Sequence, residues 1–176
     1  MFASEVNKIF LITGNPHVLV CPCCKQKTLV LRDHRLRIMR KMGGETCWIE
    51  VPRYRCKNEH PRRYHTALPS FLSFFKHYVT QLIQDAADGL LTKEDLENRQ
   101  MNYPCDSTLE RWRCWIDRNK ENIDGHLKSV GSRLPGYGKE LLHTVGSLLE
   151  KLRDDGMPWL AIVQRVIYNS GEFLAR

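Results

Sequence analysis

"CPCC" at Cys21–Cys24 and "RCKNEHPRRYH" at Arg55–His65 decide how this chain folds. Three cysteines fall within four residues, and a fourth stands downstream beside two histidines. A tetrahedral metal site takes four soft or borderline donors from two tight turns. Cys21-x-x-Cys24 supplies the first turn, with Pro22 inside it and Lys25 where glycine often follows. Cys56-x-x-x-His60 supplies the second. A second C-x-x-C would need cysteine at position 59, but Glu59 stands there. The expected ligands are therefore Cys21, Cys24, Cys56 and His60, with His65 as the alternative fourth donor and Cys47 a more distant one. Cys23 points the other way in a C-x-x-C knuckle and is left out. Taken singly, Cys56 reads as a buried thiol and Cys105 and Cys114 as ordinary packing; only Cys56 gains from its pairing with the knuckle.

The segment between the turns, Lys25–Arg55, is 31 residues long. Paired knuckles usually enclose roughly 15–20, so a long hairpin must absorb the excess. The residues suit one. "TLVLRDHRLRIM" (Thr28–Met39) begins apolar and then alternates, with Leu36 and Ile38 set against Arg35, Arg37 and Met39. "MGGET" (Met42–Thr46) supplies a glycine turn, and "CWIEVPRYRC" (Cys47–Cys56) is β-rich, with Pro52 suggesting an edge strand. So small a hairpin cannot build its own core, and a closed structural zinc site would supply folding energy directly. Glu59 is the one general base at hand for a catalytic ion, and its neighbours are basic.

The 176 residues carry a net charge of +7, concentrated in this segment. Cys21–His65 holds twelve Lys/Arg against four Asp/Glu, whereas the rest holds fifteen against sixteen. Such a segment is a solvated surface or faces a polyanion, and its excess of arginine suits phosphate. Seven cysteines, three of them crowded together, fit a reducing cytoplasm better than a disulfide framework. "MFASEVNKIFLITG" makes a poor signal peptide, with a short strand over Lys8–Gly14, and no run reaches the roughly 18–20 apolar residues of a membrane span.

After Pro69 the texture becomes helical. "SFLSFFKHYVTQLIQDAADG" (Ser70–Gly89) has apolar residues at helical spacing and a plausible stop at Gly89. Thr92 with Asp95 resembles a capping box. "DSTLERWRCWIDRNKE" (Asp106–Glu121) is a further helix with Asp106 or Ser107 as its cap. Leu109, Trp112 and Ile116 share one face with Trp115 at the edge, and Ser107, Glu110, Arg111, Cys114 and Arg118 lie opposite. That layout suits a recognition helix in the major groove, although an ordinary amphipathic helix shares it. The six-residue Gln100–Cys105 connection is longer than the usual 3–4-residue turn of such motifs. Helices over Lys139–Gly156 and Pro158–Leu174 follow a linker at Arg133–Gly138; their leucine stripe covers the trihelical core or forms a homodimer face.

"CPCC…RYRCKNEHPRRYHTALPSFLSFFKHY" followed by "DSTLERWRCW" resembles an uncharacterised bacterial family associated with mobile elements. The resemblance covers about Cys21 to Asp117, and the tail "PWLAIVQRVIYNSGEFL" is similar to the family's end. It implies a zinc-ribbon-like segment, a transposase-type helix-turn-helix, and double-stranded DNA binding linked to transposition or integration, with a transposase or recombinase as partner. The second knuckle departs from the family's C-x-x-C.

The expected class is α+β: a zinc-ribbon β-hairpin domain (1–69), a helix-turn-helix domain (70–132) and a C-terminal helical region (133–176). Phosphate contacts are expected from Arg32, Arg35, Arg37, Arg40, Lys41, Arg53, Arg55, Arg62 and Arg63. Base-edge or backbone contacts are expected from Ser107, Thr108, Arg111 and Arg118. Asp85, Asp88, Asp117 and Asp124 lie in helical or turn contexts with no strands to mount them. No DNA-cleaving activity is expected, since that chemistry needs carboxylates converging on two metal ions. The expected role is an accessory or regulatory factor of a transposon or integrative element, against a zinc-containing transcription regulator or a zinc-stapled protein-interaction adaptor without DNA binding; the expected location is the cytoplasm, in association with the nucleoid.

Overall fold

The structure, a computed structural model, describes residues 20–58, 64–74, 76–98, 104–130, 147–170 and 174. The strand expected at Lys8–Gly14 and the linker at Arg133–Gly138 lie outside the described residues, as do His60, Arg62 and Arg63.

The long hairpin is present. Strand β1 (Leu29–Arg40) pairs antiparallel with β2 (Thr46–Cys56), from Leu29 opposite Cys56 to Arg40 opposite Thr46, with the register shifting by one residue between Leu31 and Asp33. The turn at Met42–Gly44 places Gly43 and Gly44 at φ of 78° and 84°, which glycine adopts without a steric penalty. A short β3 (Tyr64–Thr66) adds to the far side of β2, giving the sheet order β1-β2-β3.

Directly paired residues share a face of a sheet. Arg37 and Met39, opposite Ile49 and Cys47, therefore face inward, while Leu36 and Ile38 share the outer face with Glu50 and Trp48. Met39, Ile49 and Val51 close a small core with Ala67 and Leu72. Pro52 marks an edge in a restricted sense. Its carbonyl accepts from Ala67 at 2.9 Å. The N–H and C=O of one strand residue point to the same side, so the missing donor of Pro52 falls where β3 has just ended at Thr66. Thus β2 is central over Arg53–Arg55 and an edge on that side before Pro52.

The helix expected from Ser70 begins only at Thr80. The described residues between Ser70 and Val79 spend their backbone groups elsewhere. Arg40 donates to the His77 carbonyl at 2.6 Å, Val79 donates to the Arg40 carbonyl at 3.0 Å, and Thr80 donates to the Phe71 carbonyl at 2.7 Å. Arg37 Nη2 donates to the carbonyls of Ser73 and Lys76 at 3.0 and 2.9 Å. These bonds stitch the segment to the end of β1, and that tertiary pairing overrides a helical spacing of aromatics.

Helix α1 (Thr80–Ala87) buries Leu82, Ile83 and Ala86 and stops at Gly89, whose φ of 74° is the left-handed conformation expected just past a helix end. Helix α2 (Lys93–Asn98) opens with the expected capping box: Thr92 N donates to Asp95 Oδ2 at 2.8 Å, and Asp95 N to Thr92 Oγ1 at 3.3 Å. Helix α3 (Asp106–Val130) runs nine residues beyond the expected Glu121. Its continuation buries Ile123 and Leu127. Its cap is Cys105 rather than Asp106 or Ser107, because the Cys105 carbonyl already accepts from Thr108 and Leu109.

Helices α4 (Leu148–Asp154) and α5 (Trp159–Ser170) complete the same core, with Leu148, Leu149, Leu152, Trp159, Leu160 and Val163 buried against Leu82, Trp112 and Ile116. The reading of the C-terminal leucines as cover for the trihelical unit holds for these residues. Polar contacts fix the packing. Asp124 accepts from Ser147 Oγ and Leu149 N at 2.9 and 3.0 Å, which satisfies the start of α4. Asp88 accepts from Trp159 Nε1 at 2.8 Å and meets Arg153 at 3.1 Å.

Candidate functional site

The knuckle is closed at both ends. Lys25 N donates to the Cys21 carbonyl and Cys21 N to the Gln26 carbonyl, each at 2.9 Å. Lys25 takes a φ of 58°, the conformation for which glycine is the usual occupant. The hairpin register then delivers Cys56 to the knuckle: Cys56 pairs with Leu29, five residues after Cys24, and Lys57 N donates to the Thr28 carbonyl at 3.1 Å. His65 arrives on β3, paired with Tyr54.

The donor atoms of Cys21, Cys24 and Cys56 all lie within 4.8 Å of one another. Cys24 Sγ stands 3.6 Å from Cys56 Sγ, and Cys21 Sγ stands 3.5 Å from His65 Nε2. A tetrahedral ion about 2.3 Å from sulfur and about 2.0–2.1 Å from nitrogen sets its donors roughly 3.5–3.8 Å apart. Both spacings match that demand. Cys21 and Cys56 are fully buried, and no disulfide joins them. The Thr28 hydroxyl lies 3.3 Å from Cys24 Sγ and 3.1 Å from Cys56 Sγ, and the Asn58 amide donates to Cys56 Sγ at 3.4 Å. Such outer contacts orient thiolates and favour their charged form. The hydrogen bond with Thr28 is the main reason that the Cys24 thiol is lowered to about 7, against the opposing effect of burial. The donor set fits a chelated metal.

Of the expected ligands, Cys21, Cys24 and Cys56 are brought together. The expected His60 lies outside the described residues, and its alternative His65 stands beside Cys21 and Cys23, outside the group of Cys21, Cys24 and Cys56. Cys23, set aside on knuckle geometry, is not remote: its sulfur forms a second group with Cys21 and His65, all within 4.8 Å. The alternative donor Cys47 lies at the other end of the hairpin, opposite Met39. Thr28 was missed as well, since a threonine four residues after a cysteine carries no signal without the hairpin register.

The basic residues fall into two groups. Arg37 is half-buried on the carbonyls of Ser73 and Lys76. Arg53 grips Asp33 through two bonds of 2.6 Å, which hold the Asp33 carboxyl below its usual range. Lys41 pairs with Glu45 at 3.1 Å, Arg32 lies 4.0 Å from the Tyr64 ring, and Arg40 lies 6.0 Å from the Tyr78 ring. Arg35 is exposed and Arg55 half-buried.

On α3 the expected division of faces is present. Leu109, Trp112, Trp115 and Ile116 are buried, while Ser107, Glu110, Arg111 and Arg118 are exposed and Thr108 half-buried. Arg111 folds back over the helix start, with Nε on the Ser107 carbonyl at 3.0 Å and Nη2 on Thr108 Oγ1 at 2.8 Å. The Ser107 and Thr108 hydroxyls also lower the neighbouring Cys105 thiol to about 7. Arg113, flanking this face, instead donates to the carbonyls of Ala86 and Leu91 at 3.0 and 3.1 Å and locks the α1–α2 turn onto α3.

Fold and site together define a small α+β protein in which a three-stranded antiparallel sheet, with a cysteine–histidine cluster able to chelate a metal, precedes a bundle of helices. The chain belongs to the family described as a domain of unknown function, DUF6431, which matches residues 21–112. The matched span opens on the first cysteine of the knuckle and ends at Trp112, in the second turn of α3. No curated protein and no solved structure matches the chain. No helix among the described residues is long and apolar enough to cross a membrane.

Proposed function

We propose that this chain is a zinc-stapled DNA-binding protein, an accessory or regulatory factor of a transposon or integrative element, without a catalytic step of its own. The observation that carries the reading is the outer face of α3, where Ser107, Arg111 and, further along, Arg118 are exposed and Thr108 half-buried, opposite a buried apolar back on a three-helix unit. Recognition helices present short polar groups and arginines from such a frame. Zinc bound by Cys21, Cys24, Cys56 and His65 supplies a rigid tie between knuckle, hairpin end and β3. Arg35, Arg40, Lys41 and Arg55, with Arg62 and Arg63 nearby in sequence, supply phosphate contacts. Arg37 and Arg53 serve the fold instead. The link to transposition, with a transposase or recombinase as partner, rests on the sequence resemblance, as does action on the nucleoid in the cytoplasm.

The test is metal analysis of the purified full chain, followed by selection from random duplex DNA and a salt titration of the selected site. The reading expects one zinc per chain, an enriched sequence, and log affinity falling linearly with log salt. It also expects no cleavage when magnesium or manganese is added. Absence of DNA binding at low salt overturns it. One observation favours a second reading, a zinc-stapled adaptor for protein partners: Leu36 and Trp48 stand 58% and 59% exposed on the outer face of the sheet. In that case a partner protein, and not duplex DNA, quenches Trp48.

A further inference from the structure

The metal cluster holds more donors than one tetrahedral ion uses. Cys21, Cys24 and Cys56 form one group, and Cys21, Cys23 and His65 form another that shares Cys21. The shared residue is fully buried, Cys24 and His65 are half-buried, and Cys23 is exposed. Cys23 thus stands on the more exposed side of the Cys21–His65 pair, within 4.8 Å of both Cys21 Sγ and the His65 ring nitrogen. From this juxtaposition, and resting on the zinc reading above, we infer that Cys23 is an alternative fourth ligand that exchanges with His65 on the bound ion.

Three features support the exchange. The two candidates stand beside Cys21 from different elements, Cys23 from the knuckle and His65 from β3, and either must close on Cys24 and Cys56 to complete a tetrahedron. Strand β3 is only three residues long and is held by the pairs Arg53–Thr66, Tyr54–His65 and Arg55–Tyr64. His65 is therefore held through strand pairing to β2, whereas Cys21, Cys23 and Cys24 share one turn closed by two backbone hydrogen bonds, so the two candidates belong to separately anchored elements. Third, the swap replaces a neutral imidazole with a thiolate and makes the centre more negative by one charge. The surrounding segment, with twelve Lys/Arg against four Asp/Glu over Cys21–His65, accommodates that charge. The step involves no redox change. The Cys23 thiol gives its proton to water as its sulfur bonds the ion, and the His65 imidazole leaves as a neutral base. The two states differ in whether β3 is fastened to the knuckle, so the ion can remain bound while the strand beside it is released.

The experiment titrates metal-free full chain with Co(II), comparing wild type, Cys23→Ser, His65→Ala and the double variant. Wild type and Cys23→Ser are expected to bind one ion with the absorption of a tetrahedral three-thiolate, one-imidazole site. His65→Ala is expected to keep one tetrahedral ion, to gain thiolate-to-cobalt charge-transfer intensity, and to lose no more than about tenfold in affinity, whereas the double variant, left with three donors, falls by about a hundredfold or more. The inference is overturned if His65→Ala gains no charge-transfer intensity, or if it binds no better than the double variant. If wild type binds no cobalt or zinc, the zinc reading itself has failed, which is a different result.

Discussion

Replacing Arg37 with alanine separates the fold from the DNA interface. Alternation in β1 and the charge of the segment both make Arg37 a candidate phosphate contact, but its guanidinium Nη2 lies 3.0 and 2.9 Å from the carbonyls of Ser73 and Lys76. Both carbonyls belong to the non-helical stretch that joins sheet to helices. Hydrogen bonds from a charged donor contribute about 1.5–3 kcal/mol each when the acceptor is removed from water. The Ser73 carbonyl retains the Lys76 amide at 3.3 Å, so its loss is partial. A total near 3 kcal/mol follows, including the packing of the arginine stem on the inner face. In a chain of this size that lowers the melting temperature by about 6–12 °C. Arg35→Ala, at an exposed position two residues earlier, is expected to melt within about 2 °C of wild type and to flatten the log–log salt slope of DNA binding by about 0.9. Arg37→Ala, measured below its own melting range, is expected to leave that slope unchanged. Thermal denaturation followed by circular dichroism gives the first quantity and fluorescence anisotropy on labelled duplex the second. An Arg37→Ala protein that melts like wild type and loses one phosphate's worth of slope refutes the assignment of this residue to the fold.

Chelation of the metal should abolish the cooperative melting of the sheet while leaving much of the helical ellipticity, because the helices have their own core; identical near-ultraviolet spectra with and without chelator would count against a stapled hairpin. Trp112→Ala removes a buried ring that meets Tyr78 edge-on at 5.0 Å, and should cost about 3–5 kcal/mol in urea denaturation. Thr92→Ala deletes the hydroxyl half of the capping box and should cost about 1 kcal/mol; a value near zero would mean that the Asp95 carboxylate suffices alone. Arg111→Ala should relax sequence choice while hairpin substitutions weaken all DNA alike, and equal losses on selected and random duplexes would defeat its role in base reading.

The parts legible in the sequence are those that local chemistry decides. A glycine pair sets the hairpin turn, Thr92 and Asp95 start α2, Gly89 stops α1, and the period of Leu109, Trp112 and Ile116 sets the buried side of α3. Three cysteines of the cluster could be named because metal-site spacing is a local signal as well. The illegible parts depend on partners distant in the chain. Alternation in β1 distinguishes two faces but not which one is buried. In the structure the inner face takes Arg37 and Met39, because carbonyls of residues 73 and 76 await the guanidinium, while Leu36 stays outside. The aromatics after Pro69 have helical spacing, but their backbone is claimed by Arg40 and Phe71. Choosing between His60 and His65 as the fourth donor depends on β3, a strand too short to announce itself by pattern.

The sheet and the helices are connected by more than chain continuity, and this bears on how a metal tie at one end of the hairpin can affect α3. At the knuckle, Lys25 Nζ donates to the Asn169 carbonyl at the end of α5 at 3.2 Å. At the joining segment, the fully buried Ser73 accepts from Gln164 Nε2 of α5 at 2.7 Å, and Phe74 lies 4.8 Å from the Tyr168 ring. Helix α5 packs in turn on α1 through Gln84, whose side chain accepts from Leu160 N at 3.2 Å and donates to the Met157 carbonyl at 3.3 Å. The route from the cysteine cluster to the start of α3 therefore runs through α5, α1 and the Arg113 clamp on Ala86 and Leu91. Each step is a polar contact, and the steps between helices join elements that also share the apolar core. Weakening a middle step while sparing both ends tests the route: Gln84→Ala, which removes the polar link between α5 and α1, should leave metal affinity and the α3 surface intact, yet reduce the loss of DNA affinity that chelation causes. If chelation lowers DNA affinity equally in Gln84→Ala and wild type, the tie reaches DNA through the hairpin arginines alone.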